Sequence, residues 1–71
     1  MSFPERLADL RKSNSVTQKQ LAAETSISEI GIRSYEGRRC QPSADKLILL
    51  ANFFNVSLDY LVGRSDNSQQ L

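Results

Sequence analysis

Seventy-one residues with a formal charge of +1 leave room for one small domain. A chain of this length buries only about 60% of its unfolded surface, which argues against a large catalytic cleft. With one cysteine and no histidine it lacks an internal disulfide and a second soft metal ligand; no run of about 18 apolar residues suggests a membrane span. The lone Cys40 fits a reducing compartment, and Met1–Arg6 lacks the apolar stretch of a signal peptide, so a cytoplasmic protein is expected. There is no glycine-rich phosphate loop and no nucleophile–base constellation, so no enzyme, cofactor or small-molecule ligand is indicated.

No segment alternates apolar and polar residues over a useful length, whereas helix punctuation recurs five times. Ser2-Phe3-Pro4-Glu5 has capping-box spacing with proline in the first turn. Phe3, Leu7 and Leu10 then share one helical face, and Ser13-Asn14-Ser15 should end the helix by competing for its backbone. Thr17 caps a second helix through Glu24, which fails at Thr25-Ser26. Ser28 caps a third, carrying Ile32 and Tyr35. Both are too short to persist alone in water and need packing through Leu21, Ala22, Ile27, Ile32 and Tyr35.

An irregular loop, Arg38 to Pro42, follows Gly37. Pro42-Ser43 opens a fourth helix, Ala44 to Phe54, with Leu47, Leu50, Ala51 and Phe54 as its core face and Asn55 as a left-handed terminator. Ser57 caps a last short helix, Leu58 to Val62, closed by Gly63. Residues 1–64 form the domain; 65–71 form a polar tail expected to fray. The sum is a compact all-α domain of five helices.

The second and third helices have the makings of a helix-turn-helix. Ala22 is small enough for a close crossing, and Ile27 and Ile32 pin the third helix to the core. That leaves the third helix proud of the domain, as entry into a major groove about 12 Å wide requires. Thr17-Gln18, Leu21-Ala22, Ile27-Ser28, Ile32, Tyr35-Glu36, Pro42-Ser43, Leu47, Leu50-Ala51, Val56-Ser57-Leu58-Asp59, Leu61 and Gly63 stand in one uninterrupted register. Over residues 3–64 this register resembles the Cro/cI-type repressors, the xenobiotic-response-element (XRE) family.

The resemblance implies a lambda-repressor-like DNA-binding domain and a function as a transcriptional regulator, a repressor acting as a homodimer on an inverted-repeat operator in double-stranded DNA. It implies roles at matched positions: Gln18, flanked by Thr17 and Lys19, supporting phosphate or base contacts; Ser28, Glu29, Ile30, Arg33 and Ser34 on the exposed recognition face; Arg39 and Gln41 on the phosphate backbone; and an Arg11–Glu36 salt bridge tying the first helix to the third. Two departures stand out. Ser26 occupies the turn position where glycine is usual, and Gly37-Arg38 inverts the usual order.

Several residues admit two readings. Glu29 either accepts from cytosine N4 or complements the positive helix end; Ile30 either packs on a thymine methyl or is simply exposed. Gly31 costs about 1 kcal/mol against alanine and either admits close approach to DNA or is neutral. Arg33, Arg38 and Arg39 form a local positive edge suited to phosphates, with Arg33 the best guanine reader. Leu49, Phe53, Tyr60 and Val62 exceed one core face and are candidates for a dimer seam. The same surplus supports a rival, an antitoxin-type or other protein-interaction module on the same fold. The near-neutral charge also leaves room for a domain that has lost DNA binding.

Overall fold

The computed structural model describes residues 1–69. Five helices follow one another: α1 (Phe3–Ser13), α2 (Gln18–Thr25), α3 (Glu29–Glu36), α4 (Ala44–Phe54) and α5 (Leu58–Leu61). None of them is long and apolar enough to cross a membrane.

Every N-terminus is fixed by a hydroxyl residue in extended conformation. At α1 the Glu5 carboxylate accepts from the Ser2 N–H (3.2 Å) and hydroxyl (2.8 Å). These bonds, led by the one from the hydroxyl, hold the Glu5 carboxyl below its ordinary range. At α2 the box is reciprocal: Thr17 Oγ1 accepts from Gln20 N–H at 3.0 Å, and Gln20 Oε1 accepts from Thr17 N–H at 2.8 Å. Ser28, Ser43 and Ser57 accept from the third residue of α3, α4 and α5.

The C-termini share a device that composition hides. Each helix exits through a left-handed residue: Ser15 (φ 56°), Ser26 (φ 62°), Arg38 (φ 62°), Asn55 (φ 56°) and Gly63 (φ 85°). Behind Arg38, the Arg39 N–H donates to Ser34 O at 2.9 Å and the Arg38 N–H to Tyr35 O, satisfying orphan carbonyls of α3. Gly37 itself is right-handed (φ −84°), so the glycine stands one residue ahead of the position that would exploit it. At Gly63 there is no substitute, because a Cβ would overlap the Met1 carbonyl. Ser26 is exposed and free of such packing. Ser26→Gly is therefore expected to stabilise the domain by about 0.5–1 kcal/mol, seen as a rise in Tm of roughly 3–6 °C.

The core consists of Leu7, Leu21, Ile27, Ile32, Tyr35, Leu50, Ala51, Val56 and Leu61, with Phe3, Leu10, Val16, Ala22, Leu47, Phe54 and Tyr60 packed around it. Helix α3 is held chiefly by α2 and α1, while α4 is braced by α5 and α2. Buried Thr25 stitches the turn: its hydroxyl donates to Leu21 O (2.7 Å) and accepts from Ile27 N–H (3.4 Å), bending the chain out of α2.

The C-terminal segment has backbone partners that the sequence does not announce. Ser57 donates from its N–H to Ser68 O (3.0 Å) and from its hydroxyl to Asn67 O (3.2 Å), so the chain returns across the start of α5. Asp66 lies 3.5 Å from the guanidinium of buried Arg6, which stacks 3.8 Å above the Tyr60 ring. Residues 70–71 of that segment lie outside the described residues. The last helix is also one residue shorter than expected, with Val62 as its cap.

Candidate nucleic-acid interface

The turn that orients α3 depends on one ion pair. Arg11 donates from Nε to Glu36 Oε2 at 2.7 Å and from Nη2 to Oε1 at 3.0 Å, and its Nη1 donates to Val16 O at 3.1 Å. Both side chains are nearly buried, 14% and 11% exposed. The hydrogen bond to Glu36 raises the Arg11 pKa above its ordinary value. Gln18 joins the pair, its Nε2 donating to Glu36 Oε1 at 3.2 Å. One carboxylate thus gathers α1, α2 and the end of α3.

With α3 pinned through Ile32 and Tyr35, its other face is presented outward. Ile30 is 73% exposed, the most exposed large apolar side chain among the described residues. Arg33 is exposed and Glu29 and Ser34 half-buried; Ser28 is exposed with its hydroxyl engaged as cap. Gly31 has a packing reason: a Cβ there would press on Ser28 Oγ at 3.0 Å and Ile27 Cγ2 at 3.3 Å. Thr17 and Lys19 are exposed at the start of α2.

Electrostatically the positive edge is thinner than a count of arginines suggests. Arg33 Nη2 is 3.3 Å from Glu29 Oε2. Arg38 Nη2 reaches Ser2 Oγ at 3.2 Å and Glu5 Oε1 at 3.4 Å, tying the loop after α3 to the start of α1. Glu36 is consumed by Arg11. Among the described residues Arg39 and Lys19 are in no ion pair, and Gln41 is exposed.

The candidate dimer residues divide. Leu49 and Phe53 are 42% and 36% exposed, Phe53 packing edge-on to Phe54 at 4.9 Å. Tyr60 is committed to the core and to Arg6, and Val62 lines a cleft with Phe3 and Leu47. Sequence reasoning missed Ile48 and Leu58, 45% and 44% exposed, which both line a groove of about 420 Å³ along α4 and the start of α5. Position 48 falls one place beside the core stripe of α4, and that signal was available.

This arrangement of five helices around a projecting α3 has counterparts among known proteins. The chain matches the helix-turn-helix family over residues 7–61. It is 36% identical over 70 residues to the HTH-type transcriptional regulator ImmR of Bacillus subtilis (strain 168), covering 99% of this chain and 55% of that one. It is 37% identical over 73 residues to the cryptic phage CTXphi transcriptional repressor RstR of Vibrio cholerae, covering 100% of this chain and 65% of the relative. It therefore spans little more than half to two thirds of these relatives' length. In structure it is similar to the P22 c2 repressor in complex with a synthetic operator, with a TM-score of 0.84 at 25% identity over 92% of this chain and 98% of that one. The solution structure of the P22 c2 DNA-binding domain gives 0.84 at 27% identity, over 100% and 92%. The chain belongs to the helix-turn-helix family of the Cro/cI (XRE) type.

Proposed function

We propose that this chain is the DNA-binding part of a transcriptional repressor, laying α3 in the major groove and binding an inverted-repeat operator as a homodimer. The observation that carries this reading is the outward face of α3, with Ile30 and Arg33 exposed and the helix locked from behind by Ile32, Tyr35 and Glu36. A projecting, rigid helix with an apolar and a basic side chain suits base edges, a thymine methyl for Ile30 and a guanine for Arg33. Arg39 and Lys19, in no ion pair among the described residues, and exposed Gln41 supply the phosphate contacts on this reading. The likeness to a repressor captured on its operator supports the same docking here. Homodimerisation is supported by exposed Leu49 and Phe53, with Ile48 beside them on α4, and two half-sites give the specificity that one module lacks.

Arg33→Ala is expected to lower affinity at particular base pairs, by about 1–3 kcal/mol, and Arg39→Ala to weaken binding evenly and reduce the salt slope by about one. Fluorescence anisotropy with selected and random duplexes over a salt series checks both. Equal losses on every duplex from both variants would refute the division. Flat anisotropy at low salt would instead favour the protein-interaction module, with Leu49 and Phe53 as its contact surface.

A further inference from the structure

The recognition helix carries an acid and a base in contact with one another, and among the described residues neither makes another ion pair or side-chain hydrogen bond. Glu29 is the first residue of α3 and Arg33 lies one turn on, with Nη2 and Oε2 3.3 Å apart. Side chains on a helix lean toward its N-terminus, so this contact draws the guanidinium to the end of α3 that enters a groove first. The order, acid before base at i, i+4, is the favourable one. Both groups remain open to solvent, 61% for Arg33 and 42% for Glu29. An exposed pair of this kind adds little to stability.

We propose, on the reading of α3 as the DNA-contacting helix, that Glu29 and Arg33 form a single reading unit for a guanine with a cytosine amino group beside it. The guanidinium has five N–H donors and gives one direction to Glu29, leaving a fork for guanine O6 and N7. The second Glu29 oxygen is left as an acceptor, and cytosine N4–H is the donor that the groove offers it. An adenine in place of the guanine presents N7 alone to the fork, and a thymine in place of the cytosine presents no donor to the carboxylate. The carboxylate also has a negative role. A phosphate approaching Arg33 would meet Glu29 at the same time, so the pair keeps this arginine from the sequence-independent contact arginines otherwise make. Glu29 is thus a positioning and specificity residue that acts partly through Arg33.

The test selects sites from a random duplex pool with the full chain and with E29A, R33A and the double variant, after circular dichroism has shown each to be folded. The unmodified chain should prefer guanine at one half-site position about tenfold or more, and R33A should abolish that preference. E29A should lose the neighbouring cytosine preference and weaken the guanine preference. It should also bind random duplex severalfold more tightly at low salt, with a salt slope steeper by about one as Arg33 turns to phosphate. The double variant should match R33A at the guanine position. The proposal is overturned if E29A leaves the guanine preference and the salt slope unchanged, or if R33A lowers selected and random affinities alike. Absence of binding by the unmodified chain to any duplex overturns the wider DNA-binding reading, and is distinguished by appearing before any substitution is made.

Discussion

Glu36→Ala is expected to cost the domain about 3 kcal/mol, with a fall in Tm on the order of 15 °C. A domain of this size has about 4–10 kcal/mol in total, so the variant should lose roughly a third or more of its stability. The loss has two parts. Arg11, almost fully enclosed, keeps its charge at any accessible pH and is left with only the Val16 carbonyl. Gln18 loses its acceptor as well. Replacing both partners by apolar residues of similar length (Arg11→Met with Glu36→Leu) should restore most of the stability, because desolvation of the two charges is removed with their attraction. DNA affinity should not return with it, since Gln18 and the end of α3 would no longer be tied to a common carboxylate. Thermal melts of the three variants, with anisotropy on the same samples, separate the two effects. A single variant as stable as the parent would show the pair to be dispensable.

Leu50→Ala is expected to cost about 2–5 kcal/mol, whereas Leu49→Ala, one residue earlier, should cost less than about 1 kcal/mol. Leu50 is fully enclosed between α4 and the rest of the core, and truncation leaves a cavity whose walls belong to several helices. Leu49 is 42% exposed on the same helix. Urea titrations give the comparison directly as a shift in midpoint at constant m-value. Similar midpoints for the two variants would mean that α4 is rotated from the orientation described here.

How much of this was legible in the sequence follows from the range of each interaction. The N-caps Ser2, Thr17, Ser28, Ser43 and Ser57 were all readable, because a cap is settled within three residues of chain. The Arg11–Glu36 bridge spans 25 residues and came from family resemblance, not from local pattern. Arg38 joining Ser2, 36 residues away, has no such guide, and Arg33, Arg38 and Arg39 look like a positive edge in sequence that two ion pairs largely balance. The tail looked unpartnered because its partners are the backbone of Ser57 and the guanidinium of Arg6, neither of which marks itself by spacing. Tyr60 looks surplus to the core for the same reason: its companion Arg6 lies in the first helix.

The left-handed helix exits bear on how this domain tolerates change. Four of the five use serine, arginine or asparagine where a residue without a Cβ would sit at ease. Each of the four is a one-residue step toward a more heat-resistant protein that leaves the α3 surface untouched, Arg38 giving up its contacts to Ser2 and Glu5 for that gain. They form a reserve from which costly alterations of the recognition helix could be absorbed, so that binding preference can drift while the scaffold stays folded.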